Sequence, residues 1–324
     1  MNRVLQGWGL VGLALCALLA LLAALLAGSV ELSPARALAA IGGGGDELAR
    51  TIMQTVRVPR ALSAFAVGAQ LALAGVLLQA LFRNPLADPF VLGVSGGAAI
   101  GALGGMLAGA GLALLQWYAT AGALLVGVVV VLLGSGGSLL RLLLAGVVLA
   151  SFCGALSSVL LAIADNGQLR GMVFWLAGDL GWATQPRRDL LLVAVCAVLA
   201  IFSGRSLNVL AAGELRSASL GLHPARTRLL VFAVGAVLTA AAVLAAGPIG
   251  FVGLVAPHLV RLALRTSDHR LVAPGAALCG GALLCLADAV SRTVAAPRQL
   301  PVGAVTAILG APLFLWLLRR QSSG

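Results

Sequence analysis

The chain is a succession of apolar blocks separated by short polar connections. The blocks approach the ~20 apolar residues that an α-helix needs to cross a bilayer. They fall near 8–28, 61–81, 91–110, 115–134, 142–163, 189–204, 229–246, 248–264, 271–289 and 303–318. This pattern predicts an all-α integral membrane protein of about ten transmembrane helices. Residues 1–324 then form a single membrane domain, with no room for a second, soluble one. One block stands apart, Gly247-Pro-Ile-Gly-Phe-Val-Gly-Leu-Val-Ala-Pro-His-Leu-Val-Arg261. Glycine and proline at that density break ordinary buried helices, and survive in a membrane where neighbouring helices or a wet path satisfy the freed backbone groups. The block reads as a broken helix leading to a basic membrane face, which suits a transporter better than an anchor.

Composition sharpens this reading. Hydrophobic residues make up 61% of the chain and charged residues 10%, with a mean hydropathy of +1.08. A soluble domain would be about one quarter charged. The net charge of +11 is scattered between apolar runs rather than striped along a helix, which argues against nucleic acid and for a topology signal. All 21 basic residues are arginine, so the chain cannot hold a P-loop, whose lysine grips phosphate. Any ATP that drives this protein is hydrolysed on another subunit.

With the N-terminus inside, the predicted inner connections hold twelve arginines against three acids, Asp88, Glu214 and Asp268; the outer ones hold nine against seven. That is the positive-inside bias, and an even number of spans places both termini in the cytoplasm. The first apolar run is longer than a signal-peptide core and further spans follow it, so it reads as a retained helix. The five cysteines lie in apolar spans without CxxC pairing, and the histidines lack metal-ligand spacing. Ser157 and Ser158 have no histidine partner in sequence that would make a hydrolase, and intramembrane serines commonly bond helix to helix.

Four connections carry polar chemistry. Val56-Arg57-Val58-Pro59-Arg60 lies outside, as a pair of interfacial anchors or a basic docking point for an acidic partner. Leu81-Phe82-Arg83-Asn84-Pro85-Leu86-Ala87-Asp88-Pro89 is an inner turn, followed by the small residues Gly93 to Gly97 that permit close packing. The inner loop near 205–228 contains short amphipathic helical pieces between Leu207 and Leu220, with Gly221 as a stop. These either lie in the interface or receive a cytoplasmic motor. Asp165-Asn-Gly-Gln-Leu-Arg170, leading to Phe174, Trp175 and Asp179, lies outside. Its tryptophans fit an aromatic belt, and Ser157, Ser158, Asn166 and Arg170 are candidates for lining a substrate path.

Taken in order, Arg57-Val-Pro-Arg60, Phe82-Arg-Asn-Pro-Leu-Ala-Asp-Pro89, Leu92-Gly-Val-Ser-Gly-Gly97, Phe174-Trp175, Ser219-Leu-Gly221, Gly247 to His258, Asp288 with Arg292, Leu300-Pro-Val-Gly303 and Gly310-Ala-Pro312 carry a resemblance. From about Arg57 to Arg320 the chain resembles permeases of the FecCD family. These are membrane subunits of type II ABC importers for iron–siderophore complexes, haem and cobalamin. The resemblance implies a homodimer in the inner membrane with two cytoplasmic ATPase subunits, which bind ATP and Mg, and a periplasmic substrate-binding protein. No cofactor would be bound by this chain. An inverted repeat of spans 2–5 against spans 7–10 is implied as well. By position, Arg57, Arg60 and Arg292 would meet carboxylates of the binding protein. Gly213, Glu214, Leu215, Arg216, Ser217, Ala218, Ser219, Leu220 and Gly221 would form the helices that couple to the ATPase. Gln299 stands where the family often has an acid, which bears on docking. A stand-alone, ion-coupled secondary transporter is the competing class; it would need a mid-membrane carboxylate, and Asp288 comes nearest.

Overall fold

A computed structural model of the chain describes residues 3–28, 30, 32–44, 46–134, 139–183 and 185–321. The first half contains α1 (Arg3–Leu26), α2 (Pro34–Ile41), α3 (Glu47–Thr51), α4 (Val58–Phe82), α5 (Val94–Leu107), α6 (Leu112–Gly134) and α7 (Leu139–Ala162). The second contains α8 (Asn166–Leu176), α9 (Pro186–Phe202), α10 (Gly204–Ala211), α11 (Glu214–Ser219), α12 (Pro224–Ala246), α13 (Val252–Leu264), α14 (His269–Thr293) and α15 (Val302–Gln321). A π-helical turn, Ile52–Arg57, joins α3 to α4 without a break, and no strand occurs among the described residues.

Each of the ten predicted apolar blocks falls on one of these helices. Among the described residues, six helical stretches are long and apolar enough to cross a membrane alone. The pair α9–α10, bent by 65°, makes a seventh candidate, and α5, α13 and α15 are shorter apolar helices. The sixth block was expected to run on to residue 204, but the helix turns away after Phe202, so α10 leaves the bundle axis.

At the centre lies α4, wrapped by α14, α12, α13 and α9. Its alanines and glycines explain why it can be surrounded. A Cβ at Gly68 would collide with the carbonyl of Gly280 on α14, and one at Gly75 with the carbonyl of Gly253 on α13. Small residues on both partners let the backbones touch, the packing mode that membranes favour where apolar burial gives no net drive. By contrast, α1, α6 and α7 leave most of their surface uncovered by the rest of this chain.

The block 247–261 is not one broken helix. Gly247 to Gly250 form an irregular entry, and α13 begins only at Val252 after Phe251 in a left-handed conformation (φ +69°). Pro257 sits inside α13 and lacks the N–H that would bond the Gly253 carbonyl four residues back. Gln79 of α4 fills that gap, donating Nε2 to Gly253 O at 3.4 Å, while its Oε1 accepts from Arg261 Nη1 at 2.6 Å. The same local design opens α5, whose preceding residue Gly93 is also left-handed (φ +73°).

Candidate functional site

Two polar assemblies lie at opposite ends of the bundle. At the end that carries α8, the centre is Asp288, which is 0% exposed. Its Oδ1 accepts from Arg60 Nε at 3.0 Å, and its Oδ2 from Arg292 Nε at 2.8 Å. Arg292 also donates to the carbonyls of Ala27 (2.6 Å) and Ala24 (2.8 Å). Arg57 donates to those of Leu25 (3.2 Å), Leu26 (2.9 Å) and Val30. The last carbonyls of a helix have no partner within it, and the C-terminus attracts cations. Arg57 and Arg292 therefore cap α1 from two other helices.

The three arginines expected to meet the binding protein differ in how far they reach the surface of this chain. Arg57 is 4% and Arg292 6% exposed, with their donors engaged inside the chain. Arg60 alone reaches the surface. It bonds Gln299 Oε1 at 3.1 Å and lies 3.8 Å from Asp179 Oδ1, so the glutamine at the family's acidic position completes the Arg60 shell. Sequence reasoning passed over Asp288 as the hub, although the Asp288–Arg292 spacing of four residues was a legible ion-pair signal.

Nearby, the segments around Gly178, Gly247 and Gly303 converge: Asp179 N–H donates to Ala246 O at 2.8 Å, and Gly303 N–H to Gly178 O at 3.3 Å. Motifs distant in sequence thus form one backbone junction. Trp175 is buried under it and belongs to the core rather than to an aromatic belt. The residues expected to line a path are dispersed. Ser157 faces inward and Ser158 is exposed on α7, its hydroxyl bonded back to Gly154 O. Asn166 and Arg170 are exposed on α8, and the Arg170 guanidinium lies 5.7 Å from the Phe174 ring centre instead of pairing with Asp165 or Asp179. A cavity of about 790 Å³ lies elsewhere, between α6 and α12, with mainly apolar walls.

At the opposite end, the loop 205–228 folds as α10 and α11 around Gly213 (φ +111°). The Ser217 hydroxyl is buried within reach of the carbonyls of Val209 (2.9 Å) and Gly213 (2.6 Å), which fastens α11 to α10. Arg216, Ala218, Ser219, Leu220 and Gly221 face outward, and the side chains of Glu214 and Leu215 lie outside what the structure describes. One residue that the sequence did not single out anchors this unit. Asn208 on α10 bonds both Asp268 and His269 at the start of α14. Burial raises the affinity of the Asp268 carboxyl for its proton, but bonds from Asn208 and the Arg270 N–H, with the Arg270 charge, outweigh it and hold the group below the ordinary carboxylate range.

A helical bundle packed around the central α4, with the Asp288 cluster at one end and the jointed α10–α11 unit at the other, is the architecture of a multi-pass membrane permease. The FecCD transport family model matches residues 15–320, and the chain belongs to that family of ABC transporter permeases. It is 41% identical over 283 residues to the hemin transport system permease protein HmuU of Yersinia pestis, covering 83% of this chain and 84% of that one. It is 39% identical over 315 residues to the vitamin B12 import system permease protein BtuC of Escherichia coli, covering 95% and 94%. Among solved structures, an inward-facing conformation described as a metal-chelate type ABC transporter matches with a TM-score of 0.85 and 32% identity, over 97% of this chain and 99% of that one.

Proposed function

We propose that this chain is the membrane subunit of an importer that takes a metal chelate from a binding protein outside the cytoplasmic membrane and releases it inside, driven by ATP hydrolysed on separate subunits. The observation that carries this reading is the α10–α11 unit: short, jointed helices with an exposed outer face, fixed to the transmembrane bundle. The arginine bias of the connections supports a cytoplasmic position for that unit. The cargo class rests on relatives named for hemin and vitamin B12, both metal-centred macrocycles, so haem and cobalamin are the first cargoes to test and an iron–siderophore complex the next.

A docked, loaded binding protein and ATP-driven closure of the ATPase pair would move α10–α11 and shift the spans between outward-open and inward-open states. A route that binds cargo weakly suits this cycle, because a deep affinity minimum in any one state traps the carrier there. The ion-coupled alternative loses its candidate residue, since Asp288 is held between two guanidiniums. The test is mild affinity purification of the chain from native membranes with mass spectrometry of what remains bound. A P-loop ATPase and a substrate-binding protein are expected; recovery of the chain alone, under conditions that preserve other ABC complexes, overturns the reading.

A further inference from the structure

The amide of Asn208 makes three contacts with the first turn of α14. Its Nδ2 donates to Asp268 Oδ1 at 2.8 Å, and its Oδ1 accepts the His269 N–H at 3.0 Å. The same Oδ1 lies 2.6 Å from His269 Nδ1; a carbonyl oxygen only accepts, so Nδ1 carries the proton. Asp268 at the same time caps α14 by accepting the Arg270 N–H at 3.0 Å. Thus α10 is fastened to the end of a transmembrane helix and not to a pliable loop. That helix has 25 residues and continues through Pro274. At 1.5 Å per residue it extends about 37 Å. Its far end carries Asp288 and Arg292, which hold α1 and, through Arg60, α4. Midway it touches α4 backbone to backbone at Gly68 and Gly280. A push on α11 therefore passes through Ser217 to α10, through Asn208 to α14, and along α14 to the opposite face.

We infer that Asn208 is the positioning residue through which movement of the α10–α11 unit reaches α14, and that α14 is the rod joining the ATPase-facing end to the Asp288 clamp. The inference rests on the reading of α10–α11 as the ATPase contact. Helices that meet only through apolar side chains can slide; a three-bond amide cannot shift without losing a bond to a carboxylate, so displacement is transmitted rather than absorbed.

The chemistry supplies a reciprocal test. Asn208→Asp keeps the acceptor for His269 but removes the donor and sets a second carboxylate against Asp268. Adding Asp268→Asn restores one donor and one acceptor with the roles exchanged, and asparagine caps a helix as well as aspartate does. The assay is the full complex of permease, ATPase and binding protein in liposomes, with haem or cobalamin as the probe cargo, reading cargo imported per ATP hydrolysed. Asn208→Asp is expected to keep its ATPase rate and lower that ratio about tenfold, as loss of a bond to a charged group implies. The double variant is expected to recover to within about threefold of wild type by the same measure. An unchanged ratio in Asn208→Asp overturns the inference, as do a double variant no better than the single one and a loss of ATPase rate, transport and assembly together. Wild-type complex that imports neither cargo with ATP would instead sink the importer reading for those cargoes, a result separable from the behaviour of the variants.

Discussion

Asp288, itself fully buried, holds two guanidiniums, and those guanidiniums reach across to α1 and α4. Breaking one partner of such a group leaves uncompensated charge, a loss of about 3–5 kcal/mol. Asp288→Asn is therefore expected to lower the melting temperature of the detergent-solubilised protein sharply; a melt matching wild type would show that the clamp contributes little. Because that variant damages the fold, its loss of transport cannot reveal proton coupling, and ATP dependence without an ion gradient is the cleaner discriminator. Arg57 cannot test docking either, since a reversed charge there would face the carbonyls of α1. Arg60, at the edge of the clamp, reaches the surface, and because it also pairs with Asp288 its association test is read together with a melt of the same variant. Arg60→Gln should slow association with the binding protein by on the order of tenfold and weaken its salt dependence, as rim charges do. Association measured by surface plasmon resonance at two salt concentrations checks this, and identical rates would remove Arg60 from the docking surface.

Between elements, the sign of a glycine substitution depends on what its Cβ would meet. Alanine in place of glycine favours a helix by about 0.5–1 kcal/mol when nothing opposes it. Gly12 on α1 has no atom within 4 Å of that position, so Gly12→Ala should leave the melt unchanged or raised. Gly280 faces the backbone of α4, so Gly280→Ala should destabilise by about 1–3 kcal/mol, the cost of overpacking. Equal melting temperatures for the two variants would contradict the observed contact. The same contrast explains what the sequence could disclose. Apolar length located all ten blocks, because a bilayer demands it of each helix separately. The end of the sixth block near residue 204 and the short helical pieces from Leu207 were legible, because Arg205, Ser206 and Asn208 interrupt the apolar run, whereas the 65° bend between α9 and α10 was not. Likewise an arginine at a membrane boundary can serve a partner outside or a helix end inside, and only packing shows the α1 carbonyls that Arg57 and Arg292 bond. Asn208 gave no signal at all, because its partners lie 60 residues away at Asp268 and 61 at His269.

For the whole molecule, the uncovered helices decide where a second copy would sit. Uncovered α1 and α6 present leucines, valines and tryptophans, such as Leu18, Leu125 and Trp117, which lipid accommodates. The uncovered surface of α7 also presents large apolar residues such as Leu144, Val148 and Phe152, but it adds a stripe of Ser151, Gly154 and Ser158 at helical spacing, with both hydroxyls turned back onto carbonyls four residues earlier. Small and hydroxylated residues mark faces where membrane helices approach each other, and a two-fold axis brings the same face of both copies together. In a background with the five native cysteines replaced, Ser151→Cys and Ser158→Cys should give covalent dimers with a short bis-maleimide, whereas Leu18→Cys and Leu125→Cys should not. Dimers formed only from α1 or α6 positions would move the interface there. If α7 borders a route that opens and closes during transport, adding ATP to the assembled complex should alter the Ser158→Cys yield, because one face cannot both seal the path and release cargo through it at a fixed spacing. A yield that stays constant through turnover would place α7 in a static interface and require the route to run elsewhere.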